Sequence, residues 1–127
     1  MPRRAVNDVP ALGKVLGPYS RAVWAGDILY LAGQLGMDPA TGELASGVRN
    51  QAERSIKNLE ALLASAGLGL SNVVKTTVFL TNIADFAVVN EVYATHFSAP
   101  YPARSAIQVA ALPKGGLVEI EAIALRD

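Results

Sequence analysis

Residues 47–80 read GVRNQAERSIKNLEALLASAGLGLSNVVKTTVFL, and this stretch decides the fold class. Val48, Ala52, Ile56, Leu59, Leu63 and Ala66 recur at helical spacing, with Arg49, Asn50, Glu53, Lys57 and Glu60 on the opposite side. That pattern predicts an amphipathic helix over Gly47 to Ala66. Gly67 follows as a helix stop. Ser71-Asn72 makes a turn, and the β-branched run Val73 to Leu80 predicts a strand. Its even positions, Val74, Thr76, Val78 and Leu80, form the side expected under a helix. Its odd positions, Val73, Lys75, Thr77 and Phe79, form a mixed side.

Upstream, Arg21 to Trp24 and Ile28 to Ala32 read as short strands around Ala25-Gly26-Asp27, a hairpin signal. Gly36 to Gly42 (GMDPATG) is turn chemistry. The first stretch, to about Ser20, holds Pro10, Gly13, Gly17 and Pro18 and predicts an irregular arm. Downstream, Thr81 or Asn82 caps a second helix running to about Phe97. Phe86, Val89, Asn90, Tyr93 and Phe97 share one of its faces, which sets polar Asn90 among core residues. Ala103 to Val109 and Val118 to Ala124 are the last strands.

The order is β-β-(β)-α-β-α-β-β, an α+β reading with a mixed sheet in one domain over residues 1–127. Two helices can cover only one face of such a sheet. The polar sets Arg104, Ala106, Gln108 and Glu119, Glu121 are expected on the face away from the helices, together with Thr77 and Phe79. A mixed face of this kind is often closed by subunit association.

The 127 residues hold no cysteine and one histidine, His96. Disulfides, thiolate nucleophiles and iron–sulfur sites are excluded, and a protein-built transition-metal site is disfavoured. Eleven Lys+Arg balance eleven Asp+Glu. No basic cluster exists for nucleic acid or an anionic membrane to reward. No targeting signal and no membrane-length apolar run is visible, so a cytoplasmic protein is expected. Any chemistry falls to carboxylates, Arg, Lys, Tyr, hydroxyls and backbone groups.

Arg104 and Glu119 are the first candidates. Paired antiparallel, their strands would place both on one face. There the Arg fork suits a carboxylate ligand, and the acid can hold and polarise a water. A structural ion pair is the competing reading. Tyr19, in the rigid turn Gly17-Pro18-Tyr19-Ser20, can offer its hydroxyl to a substrate or plug the core edge. Gly33 can admit a ligand close to the backbone or mark a β-bulge. Asn90 can support a site loop or satisfy buried backbone groups. His96 has no evident partner, and Lys114-Gly115-Gly116 reads as a turn.

Taken in order, these motifs become specific. They are Gly17-Pro18-Tyr19-Ser20, Ala32-Gly33-Gln34, Asp38-Pro39-x-Thr41-Gly42-Glu43 and Val73 to Leu80. Asp85-Phe86-x-x-Val89-Asn90-x-x-Tyr93, Pro102-Ala103-Arg104-Ser105, Val109-Ala110-x-Leu112-Pro113 and Val118 to Ala124 follow. From about Gly17 onward the chain resembles the RidA (YjgF-type) reactive-intermediate deaminase family, with residues 1–16 left as the irregular arm.

The resemblance implies a chorismate-mutase-like α+β fold, with two helices on one sheet face, and a homotrimer with clefts between subunits. It implies hydrolysis of 2-iminopropanoate and 2-iminobutanoate to 2-oxo acids and ammonia. Such imines are released by pyridoxal-phosphate enzymes. No cofactor, metal, nucleic acid or membrane is implied. By the same resemblance Arg104 clamps the substrate carboxylate, Glu119 positions the attacking water, and Tyr19 hydrogen-bonds substrate or water. Gly33 lines the pocket with its backbone, Asn90 supports the site, and Phe86 is a pocket wall or core residue. Ala106 stands beside the pocket where many bacterial members have Cys. Arg21 replaces a common Gln, and Ala32 a common Ser. In a trimer, Arg104 and Tyr19 can face each other from different subunits. Two other readings use the same residues: a non-catalytic trimer that binds small carboxylates, and a pathway-specific deaminase acting on an aminomuconate-like compound.

Overall fold

A computed structural model describes residues 3–127. Its strands are Arg4–Val6 (β1), Ala22–Ala25 (β2), Ile28–Leu35 (β3), Val73–Leu80 (β4), Ala103–Gln108 (β5) and Val118–Leu125 (β6). Its helices are Gly47–Ser65 (α1) and Phe86–His96 (α2). The strands form one sheet in the order β1-β2-β3-β6-β4-β5. Only β4 and β5, joined through α2, run parallel.

Local chemistry accounts for most of these elements. Gly26 takes a left-handed conformation (φ 61°) in the two-residue turn between β2 and β3, a geometry open to glycine at little cost. At the end of α1, Gly67 (φ 77°) donates to the Ala64 carbonyl and Leu68 to that of Leu63. This Schellman arrangement satisfies the last carbonyls of the helix. Asn82 accepts from the Ala84 N–H and caps a short 3₁₀ turn, Ile83–Asp85, that leads into α2.

The core lies between the helices and one sheet face. Ile56, Leu59, Leu62 and Leu63 of α1 and Val89 and Val92 of α2 meet Leu29, Leu31, Val78, Leu80 and Ile120 of the sheet. Each such side chain contributes about 1.5–3 kcal/mol by leaving water. The buried side of α1 also carries Gln51, Ser55 and Asn58, at helical spacing beside the apolar stripe. Ser55 donates to the Gln34 carbonyl, and Asn58 to those of Leu35 and Met37. Gln51 accepts from the Leu117 N–H and donates to the Ala45 carbonyl. Gln51 ties the helix to the segments just before α1 and β6, and Ser55 and Asn58 tie it to the irregular end of β3. Gly36 is required there, because a Cβ on it would lie 2.3 Å from the Gln51 carbonyl oxygen.

Three expectations change. The arm is not wholly irregular: Arg4–Val6 pairs antiparallel with β2, and Pro10–Leu12 forms a 3₁₀ turn. Three residues are too few to show a period, so tertiary pairing decides. His96 is not unpartnered, since its Nε2 lies 2.8 Å and 2.9 Å from the two Glu53 carboxylate oxygens and straps α2 to α1. The third change concerns the faces. Thr76, Val78 and Leu80, on the helix side, sit opposite Arg104, Ala106 and Gln108, while Phe79 and Thr77 sit opposite Glu119 and Glu121. Laterally paired side chains share a face. Arg104, Ala106 and Gln108 therefore lie on the helix side, and Glu119 and Glu121 face away. Strand β5 is an edge strand whose residues are exposed on both sides apart from part-buried Ala106, so its polar residues reveal exposure rather than orientation.

The face away from the helices stays open in the single chain. Tyr30 is 49% exposed and Ile107 46%, alongside Thr77 and Phe79. At the opposite edge the single tryptophan, Trp24, is approached by the Arg4 guanidinium at 5.8 Å and that of Arg126 at 4.0 Å. Asn58→Ala leaves two carbonyls at the end of β3 without their partner. It is expected to cost about 2 kcal/mol, read as a lower denaturant midpoint with an unchanged slope.

Candidate active site

Residues 86, 90 and 93 are spaced at i, i+4 and i+7, so Phe86, Asn90 and Tyr93 project from one side of α2. They meet Arg104 where edge strand β5 runs beyond the cover of the helices. The Asn90 side-chain carbonyl accepts from Arg104 Nη1 at 2.7 Å. The guanidinium carbon lies 4.8 Å from the Tyr93 ring centroid and 5.2 Å from that of Phe86. Stacking on aromatic rings is a favoured setting for an Arg fork.

Tyr93 is itself fixed. Its hydroxyl shares a buried 2.9 Å hydrogen bond with Thr76, and its ring stacks on Phe97 at 4.3 Å. Burial pushes its phenol above the usual range, against smaller opposing effects of the Thr76 bond and the Arg104 charge. The ring under Arg104 thus stays neutral. Asn90 is exposed rather than buried among core residues; its side chain is spent on the arginine. Among the described residues Arg104 has no acidic partner within 4.0 Å. A cavity of about 430 Å³ opens beside it, lined also by Tyr101 and Pro102.

Glu119 lies elsewhere. Strand β4 separates β6 from β5, and Arg104 and Glu119 sit on opposite faces of the sheet. The expected same-face pair does not form within one chain, because the α2 crossover makes β5 parallel to β4 and keeps it from pairing with β6. Glu119 lines a second cavity, also of about 430 Å³, together with Tyr19 and Gly33. The register slip between Leu31 and Gln34 makes Gly33 part of a β-bulge. A Cβ at Gly33 would stand 3.0 Å from the Glu119 carboxyl, so the absent side chain leaves room for the acid. Burial pushes the Glu119 carboxyl above the ordinary range, and repulsion from Glu121 adds to it. Tyr19 is 55% exposed and its N–H closes a tight turn onto the Gly17 carbonyl.

The arm that leads to Tyr19 is pinned by Arg21. Its Nη2 donates to the Leu12 and Gly13 carbonyls at 3.1 Å and 2.6 Å, and its backbone N–H donates to the Asn7 side chain. Of the residues singled out in the sequence, Arg104, Asn90 and Phe86 thus come together, and Glu119, Tyr19 and Gly33 come together. Ala106 stands two positions beyond Arg104 on the same side and packs against the core. Tyr93, expected on the same helix face as Phe86 and Asn90 but only as a core residue, joins the arginine group, as does Tyr101, which no sequence signal marks. The arginine group can bind a carboxylate in a fixed orientation, and the glutamate group can position and deprotonate water.

The family model described as Endoribonuclease L-PSP matches residues 11–126. A RutC family protein of Sinorhizobium fredii, y4sK, is 52% identical over 120 residues, spanning 94% of this chain and 93% of that one. The human 2-iminobutanoate/2-iminopropanoate deaminase is 49% identical over 125 residues, spanning 98% of this chain and 90% of that protein. The crystal structure of RidA from the Antarctic bacterium Psychrobacter sp. superposes with a TM-score of 0.92 at 49% identity, covering 97% of this chain and 100% of that one. In sequence and in fold, this chain belongs to the YjgF/RidA family.

Proposed function

We propose that this protein is an enamine/imine deaminase whose active site closes between the subunits of a homotrimer. The observation that carries this reading is the division of the site. Arg104 is pre-oriented and, among the described residues, free of any acid on one side of the sheet, and Glu119, Tyr19 and Gly33 wait on the other. A second copy that covers the open sheet face brings the two groups together. The deaminase name of the human relative supports the reaction class.

In this reading the Arg104 fork takes the substrate carboxylate and holds the iminium carbon against a water near Glu119. The Glu119 carboxylate accepts a proton from that water as its oxygen bonds to the carbon. Tyr19 hydrogen-bonds the oxygen. The carbinolamine then collapses: the amine takes the proton from Glu119 and leaves as ammonia while the hydroxyl gives its own proton to the freed carboxylate, with the 2-oxo acid as the other product. A protonated imine is already electrophilic, so positioning supplies most of the effect.

A dehydratase-coupled assay of 2-oxo acid release tests this. Arg104→Ala should lower kcat/KM by at least about 100-fold, and Arg104→Lys should recover little, lacking the fork. Wild-type protein that is folded and trimeric but gives no acceleration overturns the deaminase reading; carboxylate binding without turnover then stands in its place. Co-refolding Arg104→Ala with Glu119→Gln should return about a quarter of the sites, each built from two intact halves. No recovery would place both halves in one chain.

The acid limb of kcat/KM should lie above the ordinary glutamate range, because the active carboxylate forms only as pH rises through a raised value. Glu121→Gln should move that limb to lower pH. Glu119→Gln should abolish turnover yet raise the melting temperature at pH 7, where ionised Glu119 opposes folding. The gain should vanish as pH falls below the unfolded-state value, since both states then hold the proton.

A further inference from the structure

We propose that the Glu119 cavity takes a second anionic group, so that imines of dicarboxylic amino acids are a substrate class of this protein. The inference rests on the deaminase reading for the placement of the imine, and it adds which side chain that imine carries.

Three cations line this cavity, Lys14, Arg21 and Lys114, against one acid, Glu119. The chain as a whole is neutral, so the excess is local. Among the described residues none of the three has an acid within 4.0 Å. Arg21 is 7% exposed, and its Nε has no hydrogen-bond partner. A buried cation without a counter-ion opposes folding. This one is held by two backbone carbonyls, which orient the charge without neutralising it. Lys114 adopts φ 59°, the one positive value among described residues other than glycine. Backbone strain of that kind persists where surroundings enforce it, and it clusters at ligand sites.

The remaining walls fit a short aliphatic chain. Leu12, Leu35 and Met37 line the same cavity. With the first carboxylate on Arg104 of a neighbouring copy and the imine carbon at Glu119, the substrate side chain points into this space. A methylene stem would lie along the apolar wall and a terminal carboxylate would meet the cations. A fork or ammonium group binds such a carboxylate by charge-assisted hydrogen bonds.

The probes are 2-oxoglutarate and 2-oxopentanoate, which have the same chain length and differ in a terminal carboxylate against a methyl. Calorimetric titration of the full-length protein at low ionic strength should give at least about tenfold tighter binding of the dicarboxylate. The ratio should shrink in high salt and fall at least about threefold in the Lys14→Gln, Lys114→Gln double variant, with Arg21 keeping the remainder. Both lysines are exposed, so the fold should tolerate the exchange. Arg104→Ala should weaken both ligands and leave the ratio standing. Equal binding of the two acids by the wild type overturns the proposal, as does a preference that the double variant leaves undiminished. Hydrolysis of the two matching imines, generated in situ by an amino-acid oxidase and competed by semicarbazide, tests the deaminase reading separately. If neither imine is hydrolysed, the deaminase reading fails and the substrate class with it, while the binding ratio still decides whether the cavity takes a second anion.

Discussion

Two helices, of 19 and 11 residues, cover one face of a six-stranded sheet, and the other organising features follow from that shortage. The covered face takes the large aliphatic side chains and closes the core. The uncovered face must carry residues that tolerate water and yet keep the strands β-forming, which is why Tyr30, Thr77, Phe79 and Ile107 stand beside Glu119 and Glu121 there. Strand β5, at the edge beyond helical cover, becomes a place where an arginine can lie on the helix side and still reach solvent. The two chemical groups of the molecule are thus segregated by the sheet itself.

The arginine group shows how little sequence is needed to hold a charge still. Three residues on one side of α2 and one threonine on β4 suffice. Asn90 takes one N–H, the Tyr93 and Phe86 rings lie near the guanidinium, and the Thr76 hydroxyl anchors the nearer ring. None of these partners carries a negative charge. The cation is oriented but not quenched, which is the condition for it to bind an anion from outside.

What could be read in advance follows the same physics. Helix α1 and strand β4 were legible because each repeats its own period over many residues. The C-terminal end of β3 was not, because the bulge at Gly33 breaks the alternation that defines a strand. Gln51, Ser55 and Asn58 look like outward residues to any hydrophobicity reading, whereas they are buried: Ser55 and Asn58 serve carbonyls at the irregular end of β3, and Gln51 serves the Ala45 carbonyl and the Leu117 N–H. Arg104 and Glu119 could be singled out from their residue types and strand contexts. Their opposition could not, since it depends on β4 lying between their strands, and consecutive strands β5 and β6 read most simply as a pair. The cations at Lys14 and Arg21 lay in and beside a stretch read as an irregular arm, where nothing in the spacing says which way they point.

The clasp on Trp24 bears on connectivity. Arg4 and Arg126 reach the same indole from opposite ends of the polypeptide, so the backbone traces a nearly closed circuit whose only gap lies at that ring. A short bridge across the gap, with new ends opened in the exposed turn at Thr41 and Gly42, would preserve every strand pairing and both halves of the site. As the only tryptophan of the chain, the same ring is a built-in fluorescent reporter of whether the two ends have met.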